Sequence, residues 1–296
     1  MNHNKRIFAL GFFDGVHLGH QALLAECVRL ASELGCQAGA VTFGTHPETL
    51  TAGQAPAMIN TPQDREALLK GYQMDCVVTL PFDETLRSMS WLQFLLLLHE
   101  RYGAVGFVCG DDFHFGYRGQ GTADLLKEYC DTEWLPCAVV PEQTLDGVRI
   151  SSTYIRKQIE EGDMATAVRF LGHGHTLTGT VVTGRKLGHK LGFPTANIQL
   201  PEGIVCPRHG VYACKAWVHG KQYDAVCNVG SRPTVEGHQV RTESWLLDFE
   251  GDLYGQTVTL EFFWFLRPEQ RFRSLEELKQ AVLRDAENTR KFFEKT

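Results

Sequence analysis

The stretch ALGFFDGVHLGHQALL, residues 9–24, decides how the first half of the chain is read. An apolar run stops at Gly11, an aspartate follows at Asp14, and a new pattern begins after His17. From there Leu23, Leu24, Cys27, Leu30, Ala31 and Leu34 recur at helical spacing up to Gly35. The stretch is a strand that turns a tight corner into a helix. Such a corner offers unpaired backbone N–H groups and the positive end of a helix dipole, and phosphates settle there. His17 and His20 share one face of the helix start. Gly11, Gly15 and Gly19 let the backbone come close to a ligand. Imidazoles can donate to phosphate oxygens and to charge developing in a phosphoryl transition state. On spacing alone, a metal pair or two surface histidines also fit these residues.

Outward from the corner, strand-like and helix-like segments alternate. AGAVTF (38–43), CVVTLPF (76–82), VGFVCG (105–110) and CAVVPE (137–142) read as short buried strands, and helical patterns lie at 62–70, 90–101 and 122–130. The alternation predicts a parallel sheet with helices on its faces, whose ligands sit outside the carboxyl ends of the strands. Two short helices follow. Ser152 or Thr153 is expected to cap the first, and Asp163 the second, which stops near Gly172. GHGHTLTG (172–179) reads as a linker.

After residue 176 the texture changes. GTVVTG (179–184), GVYACKAWV (210–218), QYDAVCNVG (222–230), TESWLLDFEG (242–251) and GQTVTLEFFWFL (255–266) are strand-like, with VHGKQ (218–222) as a hairpin tip. This half is expected to be an antiparallel barrel or sandwich. SLEELKQAVLRDAENTRKFF (274–293) is one amphipathic helix, with a capping box at Ser274 and Glu277 and a stripe of Leu275, Leu278, Val282 and Phe293.

The chain has 296 residues, a length that suits two domains, here 1–175 and 176–296. With 43% hydrophobic and 22% charged residues it has the composition of a soluble globular protein. A net charge of −6 provides no field to gather DNA or RNA, so nucleic acid is not an expected partner. The nine cysteines are odd in number and contain no C-x-x-C, which fits reduced thiols in the cytoplasm. The longest apolar run, FLLLL at 94–98, is far too short to span a bilayer, and no membrane association is expected. The oligomeric state, monomer or weak oligomer, stays open.

A second dense motif is GRKLGHKLGFPTANI (184–198). Thr195 and Asn197 point the same way if the segment is extended. A hydroxyl and an amide oxygen side by side suit a Mg²⁺ ion that keeps several waters and bridges phosphates. The same residues also fit a plain Gly/Pro turn. No P-loop and no protein-kinase motif set is present.

Four segments of the first half resemble, in order, the bacterial FAD synthetases: GFFDGVHLGHQ, VTFGTHP, GDDFHFGYRGQG and RISSTYIRKQIEEGD. GFPTAN, NVGSRPT, TESWLLDFEGDLYG and FLRPEQRF resemble the riboflavin kinases. The resemblance implies an α/β nucleotidyltransferase domain with a Rossmann-like sheet, joined to a β-barrel kinase domain. It implies two MgATP-dependent reactions: riboflavin to FMN, and FMN to FAD with release of pyrophosphate. By the same resemblance His17 and His20 contact the ATP phosphates. Asp14, Arg149, Ser152, Thr153 and Arg156 serve the nucleotide, Asp112 lies in the cleft, and Phe115 stacks on the flavin ring. In the kinase half the resemblance makes Glu243 the base, Thr195 and Asn197 the Mg²⁺ ligands, and Lys186, Gly188 and His189 the loop over the phosphates. Arg267 orders the flavin end. The chain departs from the family pattern at Phe12, Gly44 and His189. The departures at Phe12 and Gly44 motivate an alternative in which only the kinase half turns over and the first half binds flavin.

Overall fold

The computed structural model describes residues 5–46, 55–182, 193, 195–234 and 237–295, with backbone alone for 232–234 and 237–239. The chain divides into two compact units, Met1–Ala57 with Pro62–Ser152, and Met58–Thr61 with Thr153–Thr296.

The first unit runs β1 (Arg6–Leu10), α1 (Leu18–Glu33), β2 (Gln37–Phe43), α2 (Pro62–Gly71), β3 (Cys76–Leu80), α3 (Glu84–Ser88), α4 (Trp91–Tyr102) and β4 (Ala104–Gly110). A hairpin of β5 (His114–Phe115) and β6 (Gly121–Thr122) leads into α5 (Ala123–Thr132) and β7 (Cys137–Val140). A second hairpin, β8 (Thr144–Leu145) and β9 (Val148–Arg149), closes the unit. β1, β2, β3, β4 and β7 form one parallel sheet in the order β3-β2-β1-β4-β7. Alternation along β1 explains the layers. Phe8 and Leu10 pack into a core with Phe94, Leu95 and Leu98 of α4, while Ile7 and Ala9 pack with Leu24 and Cys27 of α1. A Cβ on Gly39 would meet the Phe8 ring at 2.5 Å, so glycine there lets that ring lie against β2. Strand order reverses between β1 and β4, which opens a crevice beyond their carboxyl ends. The corner at 11–20 lies at that crevice.

The second unit takes most of α6 (Ser152–Glu161), then α7 (Met164–Leu171), whose cap Asp163 accepts the Thr166 N–H at 3.1 Å. β10 (His175–Thr180), β11 (Thr195–Gln199), β12 (Gly210–Val218), β13 (Lys221–Thr234), β14 (Gly237–Leu246) and β15 (Thr257–Arg267) form an antiparallel sheet ordered β10-β15-β12-β13-β14-β11. Val182 N donates to Asn197 O at 2.8 Å, so the two edge strands meet and the sheet curls into a barrel. His219 and Gly220 at the expected hairpin tip both have positive φ, 50° and 74°, as a two-residue turn with right-handed strand twist requires.

Three expectations are corrected. The linker assigned to 172–179 is mostly strand, since His175–Thr180 pairs with Thr257–Phe262. Its polar letters hid it, because His175 and Thr176 point their polar groups into a buried strand environment. The cap of α6 is neither Ser152 nor Thr153. The helix starts at Ser152, whose hydroxyl donates instead to Asp14 O at 2.8 Å. In α8 (Leu275–Phe293), capped by Ser274 as expected, the buried line is Ala281, Asp285, Ala286 and Thr289. Leu275 is 56% exposed, and Leu278 and Val282 line a cavity instead.

Candidate functional sites

After β1 the chain still bonds to β2, with Gly11 N donating to Val41 O at 3.2 Å and Thr42 Oγ1 to Phe12 O at 2.7 Å. It then bends hard. Phe13, Gly15 and Val16 all have positive φ, at 58°, 80° and 40°. A β-branched residue there is a strained conformation, of the kind that surrounding structure holds in place at functional sites. The turn delivers His17 to the N-cap of α1, where its Nδ1 accepts the His20 N–H at 3.3 Å. That bond leaves Nδ1 without a proton, so the neutral ring carries its proton on Nε2. The two imidazoles stack at 3.6 Å between centroids and 12° between planes. A Cβ on Gly19 would stand 3.3 Å from the His17 ring, so glycine makes room for it. Burial first, then His17, then Arg65 hold the His20 ring well below the usual imidazole range.

His17 and His20 open onto a cavity of about 380 Å³ that also meets Gly11, Gly19, Asp112, Arg149 and Ser152. Arg149 reaches Asp112 at 2.6 Å and Glu142 at 2.9 Å, a cation between two carboxylates on the rim. Asp14 and Gly15 are buried beneath the corner rather than lining the space. Thr153 is exposed and Arg156 half-buried on the first turns of α6. Phe115 is corrected: it is 5% exposed, packs on Phe94 at 5.7 Å, and lies in the core. The aromatic residue that faces the cavity is Phe113, stacked on Phe115 at 5.4 Å. The two sit on opposite sides of His114, so the error came from which of two neighbouring rings faces out.

In the second unit the register builds a row of side chains. Asn197 stands opposite Glu243, and Glu243 opposite Asn228. Thr195 stands opposite Trp245, and Trp245 opposite Val226. Directly opposed residues share a sheet face, so these six belong to one surface. A cavity of about 290 Å³ lies on it, meeting Thr195, Asn228, Glu243, Trp245, Arg267 and Phe272. Arg267 forks onto Asp285 of α8 at 2.7–3.2 Å, and Asn228 Nδ2 donates to Glu269 at 3.2 Å. An adjoining cavity of about 200 Å³, beside Leu246, Phe249, Leu253 and Tyr254, shares Thr195 with the first. Asn197 Oδ1 is buried and has no hydrogen-bond partner among the described residues. Lys186, Gly188 and His189 lie outside the described residues.

Sequence reading missed Trp245, Asn228, Glu269 and Asp285. Asn228 and Trp245 carried a signal, being at register positions with Glu243 once the strands are paired. Glu269 lay within FLRPEQRF beside Arg267, whereas Asp285 carried no signal, because it reaches the site from a helix further along the chain.

A family model described as FAD synthetase matches residues 1–154, and one described as riboflavin kinase matches 171–293. A bifunctional riboflavin kinase/FMN adenylyltransferase from Pseudomonas fluorescens is 39% identical, over 96% of this chain and 91% of that protein. Its counterpart from Listeria monocytogenes is 34% identical, over 98% and 93%. A solved structure named as a macrolide-efflux protein from Streptococcus pneumoniae matches with a TM-score of 0.85 at 30% identity, over 97% of this chain and 94% of that one. Among the described residues of this chain no helix is long and apolar enough to cross a membrane.

Proposed function

The chain belongs to the bifunctional riboflavin kinase/FMN adenylyltransferases, and from that premise we propose which of its residues perform each reaction. The enzyme phosphorylates riboflavin to FMN and adenylylates FMN to FAD. We assign adenylylation to residues 1–175 and phosphorylation to 176–296.

The two reactions differ in their nucleophile. A phosphomonoester has a second pKa of about 6, so FMN arrives at neutral pH as an anion. Its attack on the α-phosphate of ATP needs alignment and neutralisation of the leaving pyrophosphate rather than a base. The His17–His20 stack fits that need, because it sets ring N–H donors at a helix N-terminus beside an open cavity. Ser152 and Arg149 on the same cavity, with Thr153 and Arg156 of the adjoining motif, are assigned to the nucleotide. Asp112 positions Arg149, and Phe113 takes the flavin-facing role expected of Phe115.

The ribityl hydroxyl of riboflavin is neutral and benefits from a base that takes its proton as the P–O bond forms. Glu243 is assigned that role. The row Thr195–Asn197, Glu243, Asn228 on one sheet face carries the assignment, because it sets the carboxylate beside the metal-type ligands and on a cavity able to take a flavin. The unpartnered Asn197 Oδ1 beside Thr195 fits a Mg²⁺ ion, which would offset charge on the ATP phosphates. Arg267, fixed by Asp285, closes the flavin end, and the cavity beyond Thr195 suits the nucleotide. All nine cysteines are free thiols, which fits the cytoplasm as the place of action. No observation favours a silent first half, since Phe12 is packed into the corner against Arg65 and His46.

Purified protein given riboflavin, ATP and Mg²⁺, with FMN and FAD resolved by chromatography over time, tests this reading. FMN followed by FAD is expected. Absence of both products overturns it.

A further inference from the structure

Arg65 is the largest fully buried side chain of the described residues, with no exposed surface. It was not anticipated, because a charged residue on an amphipathic helix reads as solvated. Its spacing with Leu69, also fully buried, puts it on the inward face of α2. A guanidinium withdrawn from water normally forks onto a carboxylate. This one does not. Nη2 donates to the Phe43 carbonyl, and the guanidinium carbon lies 4.5 Å from the centre of the Phe12 ring. Nε and Nη1 have no hydrogen-bond partner among the described residues. Burial draws the group down to about 10 while Asp14, itself 2% exposed, works the other way, so it stays a cation at neutral pH.

So costly a group, where a leucine would fill the space, points to a use beyond packing. What surrounds it names the use. Phe43 ends β2, Phe12 is the first residue past Gly11, Asp14 is buried in the strained turn, and His20 is one turn beyond. The charged groups acting on His20 are His17, the N-cap of α1, and Arg65 from α2, while Asp14 in the turn acts on Arg65. Asp111 and Asp112 after β4, His114 of β5, and Glu142 with Arg149 of the second hairpin face it across the cavity. Rings stacked at 3.6 Å repel one another if both are protonated, and His17 must keep Nδ1 bare to accept the His20 N–H.

We propose that Arg65 is a positioning residue for adenylyl transfer, holding the Phe12–Asp14 corner beneath the His17–His20 stack. The proposal rests on the assignment of adenylyl transfer to this cleft. Phe12, one of the departures from the family pattern, then has a role, because its ring face carries the buried cation.

The test is kcat and KM for pyrophosphate release from FMN and ATP, with riboflavin phosphorylation on the same full chain as the folding control. Arg65→Gln is expected to lower kcat about 10²-fold with both KM values nearly unchanged, as for a misplaced reacting group, and to leave riboflavin phosphorylation unchanged. Arg65→Lys keeps the charge and loses the planar stack, and it is expected to lower kcat by about 10-fold. An Arg65→Gln kcat equal to that of wild type overturns the proposal. So does an Arg65→Lys kcat equal to that of wild type, which decides the matter if Arg65→Gln does not fold. His20→Ala separates this failure from failure of the assignment, since pyrophosphate release that survives His20→Ala removes the cleft itself from adenylyl transfer.

Discussion

His17 Nδ1 accepts the backbone N–H of His20 at 3.3 Å, and the two rings lie in parallel contact at 3.6 Å. One bond thereby caps the helix and fixes a tautomer, on a residue that lines the cavity. His20→Ala removes one phosphate donor and the ring that backs the other. The rate of FAD formation from FMN should fall about 10²–10³-fold, as for the loss of an oxyanion donor. Riboflavin phosphorylation should be unaffected. Parallel assays of pyrophosphate and of FMN on one preparation check both.

The second unit buries a titrating group with no role in either reaction. His175 is 0% exposed, neither ring nitrogen has a partner among the described residues, and burial with nearby His173 draws it down to about 3. A depressed folded-state pKa means that the stabilising contribution is complete above the unfolded value of about 6.5 and drains away as pH falls toward 3. Each pH unit in that window costs about 1.4 kcal/mol. His175→Leu should flatten the fall of Tm between pH 7 and pH 4 relative to wild type. Parallel curves for the two proteins would contradict this.

Asp285 is 4% exposed and holds Arg267 by a bidentate fork. Asp285→Ala leaves that guanidinium half-buried without its counter-ion. It should cost about 3 kcal/mol of stability and raise the riboflavin KM while leaving the FMN KM of adenylylation unchanged. Thermal unfolding together with the two Michaelis constants measures it.

Asn197 Oδ1 is the buried acceptor assigned to the metal. Asn197→Ala should shift the Mg²⁺ dependence of riboflavin phosphorylation to higher concentration by about 10-fold or more, with rate recovered at saturating Mg²⁺. An unchanged Mg²⁺ titration with a uniformly lower rate would place the metal elsewhere.

Much of this fold was legible because it rests on local patterns. Alternation in RIFAL and the helical spacing after His17 dictate both faces of β1 and the corner that follows. The hairpin at His219–Gly220 and the caps at Asp163 and Ser274 are short-range turn and helix-end chemistry. The misreadings lie where burial is set by distant chain. His175–Thr178 looked polar enough for a linker and is a barrel strand because β15 supplies its hydrogen bonds. Phe113 and Phe115 are indistinguishable by type, and only the packing of α4 decides which is core. Arg65 broke the pattern rule, since its partners Phe12, Asp14 and Phe43 come together only once the sheet is formed.

The central claim is that the neutral ribityl hydroxyl requires a carboxylate and the FMN phosphate does not. Glu243→Gln keeps the shape of the residue facing Asn197 and Asn228 and removes its basicity. Steady-state rates of both reactions on that one variant test the claim most directly. Riboflavin phosphorylation should fall about 10²–10⁴-fold while FAD formation from supplied FMN stays at the wild-type rate. Retained phosphorylation, or equal loss of both reactions in a folded protein, would contradict it.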